Sequence, residues 1–125
     1  MKTVIDSDIF IDFLRLYEPA KLWFQDLDAE NTLFSAVTEA ELLSGNDCNN
    51  EIAMNQTLKL LGAYIKAVVT NDVAKKAGEL RRVYNVPLID AFIAATAILN
   101  EATLITRNIK DYAKIKGIKL KKPYP

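Results

Sequence analysis

Histidine is absent from this 125-residue chain, and the absence removes a large part of enzyme chemistry. Ser-His-Asp and Cys-His catalysis, histidine-ligated zinc and ribonuclease mechanisms built on a histidine acid–base pair are all excluded. Cysteine occurs once, at Cys48, so no internal disulfide can form and folding is independent of oxidation. The four glycines, Gly45, Gly62, Gly78 and Gly117, are too scattered for a phosphate-cradling loop or a dinucleotide fingerprint. No Gly-x-Ser-x-Gly elbow occurs either. No apolar run approaches the roughly 20 residues that a membrane-spanning helix needs. Asp6 interrupts the apolar core that a signal peptide would require, so a cytoplasmic protein without membrane association is expected. The groups left for catalysis are carboxylates, hydroxyls, amides, lysine and arginine.

What is present suits one globular domain, expected to span residues 1–125. Half of the residues are hydrophobic and 26% are charged, an ordinary balance that argues against disorder. The net charge of zero hides an asymmetry. Residues 1–58 carry three basic residues against eleven acidic ones, a net −8, and the remainder carries thirteen against five, a net +8. An acidic half that holds a cation and a basic half that attracts a polyanion would produce this division. Uneven surface decoration would produce it too.

Periodicity gives the order of elements. Thr3-Val4-Ile5 is a short apolar, β-branched strand ending at Asp6. Ile9, Phe10, Phe13, Leu14 and Tyr17 recur at helical spacing up to Pro19. A second short helix is expected over Ala20–Leu27, and Thr32–Ser35 forms a strand. A helix from about Val37 to Leu43 ends at Gly45. Beyond the polar loop Asn46–Asn50, residues Ile52–Leu61 are helical and Ala67-Val68-Val69 suggests a short strand. Thr70 or Asn71 can cap a helix whose inner face is Val73, Ala77, Leu80 and Tyr84. The nearly apolar Leu88–Leu99 stretch predicts a deeply buried helix. Thr103–Thr106 is a strand, a short helix covers Ile109–Lys114, and Ile118–Leu120 adds an edge strand. Alternating short strands and helices indicate an α/β fold with a mainly parallel central sheet flanked by helices.

Ligands of open parallel sheets bind outside the carboxyl ends of the strands, and several oxygen-bearing residues fall there. Asp6 closes the first strand, although it or Ser7 could simply cap the next helix. Asp8 is a further acid in that helix's first turn. Glu41 lies in the helix after the second strand, where Thr38-Glu39-Ala40-Glu41 also matches a capping box. Asp90 opens the buried helix among Leu88, Ile89, Ala91, Phe92 and Ile93, or stabilises its N-terminus as a first-turn acid. Asn108 and Asp111 follow the Thr103–Thr106 strand, with Asn108 also able to cap a helix. Thr106 could offer a hydroxyl or merely continue the strand. Carboxylates crowded into one pocket repel unless a cation neutralises them. Hard divalent cations favour such all-oxygen sites and can promote phosphodiester hydrolysis without histidine. Arg107 and Lys110 are candidates for phosphate contacts.

The chain resembles PIN domains, and within them the VapC-type toxins of toxin–antitoxin pairs. The resemblance rests on Val4-Ile5-Asp6-Ser7-Asp8, on Thr38-Glu39-Ala40-Glu41-Leu42 with Gly45 behind it, and on Leu88-Ile89-Asp90-Ala91-Phe92-Ile93-Ala94-Ala95-Thr96-Ala97. It continues through Thr103-Leu104-Ile105-Thr106-Arg107-Asn108 into Asp111-Tyr112, and the ending Lys122-Pro123-Tyr124 is similar as well. Each motif is weak alone; together they run through nearly the whole chain in order. The resemblance implies a single PIN-like domain with Asp6, Glu41 and Asp90 as metal-binding acids, and Asn108 or Asp111 as a further member. It also implies Mg²⁺ or Mn²⁺, endonucleolytic cleavage of RNA (often tRNA), a homodimer, and neutralisation by a small antitoxin. Asp8 departs from the Asn or Ser that many relatives carry there, adding negative charge without removing a ligand type.

Two other readings remain open at this point. Asp6-Ser7-Asp8 after a strand imitates the nucleophile motif of haloacid-dehalogenase-type phosphohydrolases, but the chain is short for that fold and has no later Gly-Asp-x-x-x-Asp motif. A catalytically inactive PIN-like module for protein or RNA binding would have no need of so many acids.

Overall fold

Adjacent residues on three central strands enter opposite cores. In the computed structural model, which describes all residues 1–125, strands β1 (Thr3–Ile5), β2 (Thr32–Ser35) and β4 (Thr103–Ile105) lie at the middle of the sheet. Successive side chains on a strand point to opposite faces. Thus Val4, Leu33 and Leu104 belong to one apolar cluster, whereas Ile5, Phe34 and Ile105 belong to the other. Near-continuous apolar strands are what a sheet covered on both faces requires.

β3 (Ile65–Ala67) and β5 (Leu120–Lys121) complete a five-stranded sheet in the order β3-β2-β1-β4-β5. All four pairings are parallel. Seven helices accompany them: α1 (Ser7–Leu14), α2 (Glu18–Gln25), α3 (Ala36–Leu43), α4 (Glu51–Gly62), α5 (Asn71–Tyr84), α6 (Leu88–Leu99) and α7 (Ile109–Tyr112). None is long and apolar enough to cross a membrane.

On one face, α6 presents Ala91, Ala94, Ala95 and Ala97, all without exposed surface, so its backbone can approach the sheet and α5 closely. Asn85 ends α5 at φ 56°, a left-handed conformation that asparagine tolerates better than most residues. Pro87 then stands at the N-cap of α6. On the other face, Phe10 from α1 packs against Phe24 and Phe34, with ring centroids 5.8 Å apart in each case.

Several sequence expectations shift. The first helix starts at Ser7 and stops at Leu14, because Leu16 takes φ 63° and the chain turns before Tyr17. Pro19 therefore lies in the first turn of α2, where its missing N–H has no helical partner to lose. Ala67-Val68-Val69 was too far along for the third strand: pairing of Leu33 with Ile65 and of Ser35 with Ala67 fixes β3 earlier, leaving Val68 and Val69 exposed. Thr38 caps nothing. Ser35 is the N-cap of α3, accepting from the Val37 N–H at 3.1 Å, and Thr38 is buried within the helix. The capping-box explanation of Glu41 falls with it.

The strand order also locates a site. From β1 the chain adds β2 and β3 on one side, then β4 and β5 on the other. The order reverses between β1 and β4, and the crevice beyond the carboxyl ends of such strands is where open α/β sheets receive ligands. Asp6 and Thr106 are the residues that follow those two strands.

Candidate active site at the strand ends

Asp6 is 6% exposed. Its Oδ1 accepts from the Ser7 backbone N–H at 2.8 Å and its Oδ2 from the Thr106 hydroxyl at 2.7 Å. It is the N-cap of α1, so the structural role foreseen for it is real and occupies one oxygen. Helix capping needs no second, buried oxygen held by a residue 100 positions away. The Thr106 hydroxyl in turn accepts from the Asn108 N–H at 2.9 Å, so one side chain orders both the acid and the loop after β4. Ser7 donates to the Thr38 hydroxyl at 3.1 Å, joining the Asp6 turn to the helix that carries Glu41.

No lysine or arginine is among the groups that chiefly act on the two central acids, Asp6 and Asp90. Burial, followed by the charge of Asp8, pushes the Asp6 pKa up to about 6 against the easing influence of Thr106, Ser7 and Tyr112. Asp90, in the first turn of α6, is pushed up to about 6 by burial and then by the charges of Asp6, Glu41 and Asp111. Residues from α1, α3, α6 and α7 thus share one electrostatic field. Asp90 lies near enough to Asp6, Glu41 and Asp111 to feel their charges, while Glu41 and Asp111 are themselves exposed. Asn108, half-buried at the N-cap of α7, makes no side-chain capping bond.

Tyr112 was quoted in a motif and given no function by sequence reasoning. Its ring is fully buried, yet its hydroxyl has no well-formed hydrogen bond. It faces Asp6 and Asp90 closely enough to ease the charge on both, and burial and those two charges hold its own pKa well above the usual value. An apolar-looking position in a short helix gave no signal of this.

Asp8 and Arg107 also differ from expectation. Asp8 Oδ2 accepts from the Arg107 backbone N–H at 3.0 Å, while its buried Oδ1 has no partner. Burial, above all, raises its pKa. The Arg107 guanidinium is engaged by Asp12: Nε lies 2.7 Å from Oδ2 and an Nη lies 2.9 Å from Oδ1. The Tyr124 hydroxyl donates to Asp12 Oδ2 at 2.7 Å. This two-pronged pairing commits Arg107 to the fold, so it is withdrawn as a phosphate-binding candidate. Lys110 is exposed.

The donor set suits a hard divalent cation: every candidate ligand is an oxygen, Asp6 and Asp90 are both disfavoured as anions by burial and then by neighbouring acids, and a buried Asp8 oxygen lacks a partner. As the side chains stand, no three acids close into a tight ligand cage. A cleft of about 920 Å³ between α1, α3 and α4 includes Glu41 but neither Asp6 nor Asp90. Its size is therefore no guide to the chemistry, which charge and switch-point geometry locate better.

A small parallel sheet with an acid cluster at its switch point defines the PIN-domain class. The family model described as "PIN domain" matches residues 3–117, and the chain belongs to that family. Within it, the chain is 32% identical to Ribonuclease VapC19 of Mycobacterium tuberculosis over 120 residues, covering 87% of this chain and 90% of that one. It is 31% identical to Ribonuclease VapC1 of Rickettsia felis over 133 residues, covering 96% and 95%. Among solved structures, a toxin–antitoxin complex from Klebsiella pneumoniae superposes with a TM-score of 0.84 at 30% identity, over 98% of both chains. DNA-bound VapBC from Salmonella typhimurium gives a TM-score of 0.87 at 19% identity, a likeness of fold alone.

Proposed function

We propose that this chain is a Mg²⁺- or Mn²⁺-dependent endoribonuclease and the toxin of a type II toxin–antitoxin pair. The observation that carries the reading is the pair at the β1/β4 switch point, buried Asp6 and half-buried Asp90, both with raised pKa values and no basic partner. Repulsion of this kind is unfavourable for the folded chain and becomes favourable only when a cation enters. The similarity to VapC ribonucleases supports RNA as substrate. The similarity to a toxin–antitoxin complex supports a small protein antitoxin as partner. A homodimer and a cytoplasmic location complete the proposal.

In this reading Asp6, Glu41 and Asp90 hold the cation, and Asn108 or Asp111 completes the pocket directly or through water. Such an ion, when bound, supplies Lewis-acid stabilisation of charge on the phosphodiester and a water acidified towards neutrality. Thr106 fixes Asp6 Oδ2 by donating its hydroxyl proton, so the acid is oriented before any ligand arrives. Tyr112, walled off from solvent, keeps its proton and can donate a hydrogen bond to whichever of Asp6 or Asp90 turns towards it. Asp8 accepts the Arg107 amide and so braces the β4 loop. That use weakens the dehalogenase-type reading, in which the second acid of the motif must be free to donate a proton.

Incubating the purified chain with total RNA and Mn²⁺, beside Asp6→Asn and Asp90→Asn, tests the proposal. Cleavage should require Mn²⁺, stop with EDTA, and fall on the order of 10³-fold in either variant while far-UV circular dichroism is unchanged. Equal cleavage by wild type and variants overturns it.

A further inference from the structure

The last part of the chain carries positive charge that the fold does not use. Lys110, Lys114, Lys116, Lys119, Lys121 and Lys122 are all exposed. Beyond Arg107 the only acidic side chain is Asp111. None of the six lysines takes part in any of the four ion pairs of the molecule. The residues between them hold the segment down: Ile115 is buried, and Ile118 and Leu120 pack against the same core. The lysines are thereby left at the surface.

Backbone pairing brings the end of this segment to the acid pocket. The Leu104 N–H donates to the Lys119 carbonyl at 2.8 Å and the Thr106 N–H to the Lys121 carbonyl at 3.1 Å. Thr106 is the residue whose hydroxyl holds Asp6. Lys121 therefore lies one backbone hydrogen bond from the strand end that forms the site. Because β5 runs parallel to β4, Lys121 and Lys122 stand at the carboxyl end of the sheet, as does Lys110 just after Asn108, whereas Lys114, Lys116 and Lys119 lie towards the opposite end. A polyanion approaching an acidic pocket is repelled unless positive charge beside the pocket offsets the repulsion.

We infer that the pocket end of this flank, Lys110 in α7 with Lys121 and Lys122 at the end of β5, is the surface on which the phosphodiester backbone of the RNA substrate lies as it enters the acid pocket. The inference rests on the ribonuclease reading above and specifies where that substrate is held. Unpaired, flexible lysines act as point charges on phosphate oxygens, which positions a nucleic acid without reading its bases. Acidic peptide is the competing ligand for such a surface, but nothing links a peptide to a phosphodiester-cleaving pocket.

The test is fluorescence anisotropy of a labelled single-stranded RNA oligomer with the Asp6→Asn chain, across a range of salt concentrations. Adding Lys110→Glu, Lys121→Glu and Lys122→Glu together should weaken binding by about tenfold or more and flatten the slope of log affinity against log salt by about 2. The same charge change at the exposed residues Lys59, Lys75 and Arg82 should move binding less than threefold, roughly the effect of net charge alone. Replacing the three flank lysines by arginine should retain affinity, which separates charge from folding damage. Equal losses in the two glutamate sets, or none in the flank set, would overturn the inference. So would unchanged RNA affinity accompanied by lost binding of a polyglutamate probe. Wild-type cleavage with Mn²⁺, measured in parallel, keeps the two proposals apart. If wild type cuts RNA and the three flank substitutions placed in the wild-type chain leave cleavage unchanged, only the flank assignment fails; if wild type cuts no RNA, the ribonuclease reading fails.

Discussion

Asp6 and Asp12 lie six residues apart in sequence and are almost equally buried, at 6% and 9% exposure, yet the fold treats their charges in opposite ways. Asp12 receives a two-pronged Arg107 guanidinium and the Tyr124 hydroxyl. Asp6 receives only an amide and a hydroxyl, and its nearest charges are other acids. The lesson is that burial of a carboxylate does not mark a functional site; burial without a counter-charge does. A paired acid stabilises the fold, and an unpaired cluster holds free energy that a ligand can release.

The sharpest way to break this contrast is to truncate each acid and compare stabilities. Asp12→Ala strands Arg107 and the buried Tyr124 hydroxyl, and should destabilise the chain by about 2–4 kcal/mol in urea unfolding. The value sits below that of fully buried pairs because the Arg107 side chain is 44% exposed and partly screened by water. A loss under 1 kcal/mol would mean that the Asp12 pairing is decorative and the contrast unsound.

Asp6→Asn should do the reverse when no divalent cation is present. Because the folded-state pKa of Asp6 lies at about 6 against an ordinary 3.8, the folded protein retains a proton that the unfolded chain gives up. Its contribution to stability therefore falls as pH rises from about 4 to about 6, and the penalty is complete above that range. At pH 8 in EDTA the variant should gain about 1–3 kcal/mol, the upper figure being the ceiling set by the full pKa difference. Added Mn²⁺ should raise the melting temperature of the wild type and leave that of the variant unmoved. Wild type outranking Asp6→Asn in EDTA at pH 8 would show that Asp6 is compensated by some other group.

Thr106→Val probes the link between the two regions, since this hydroxyl holds Asp6 while its neighbour Arg107 holds Asp12. Removal of its two hydrogen bonds should lower stability by about 1 kcal/mol. It should also weaken Mn²⁺ binding, followed by thermal shift, about 10-fold or more. Unaltered Mn²⁺ affinity would reduce Thr106 to a strand residue.

Much of the architecture was legible because it is written in local pattern. β1, β2, β4 and α6 follow from apolar runs whose boundaries are marked by Asp6, Ser35, Pro87 and Thr106. β3 was displaced because Val68 and Val69 carry the stronger β-forming character, whereas cross-strand pairing with β2 decides where an edge strand sits. The Thr38 capping box failed because Ser35, the residue ending β2, reached the helix N-terminus first and left Thr38 to bond Ser7 across the core. Tyr112 went unassigned because its ring behaves as a core residue and only its hydroxyl belongs to the site.

Residue composition and order alone dictated that any catalysis here uses oxygen ligands, that strands alternate with helices, and that acids follow the strands. Which of those acids stays without a counter-charge was settled by folding, which brought Arg107 to Asp12 across 95 positions and left Asp6 facing Asp90. Coulomb energies depend on distance through space and on burial, and neither is encoded in the neighbours of a residue along the chain.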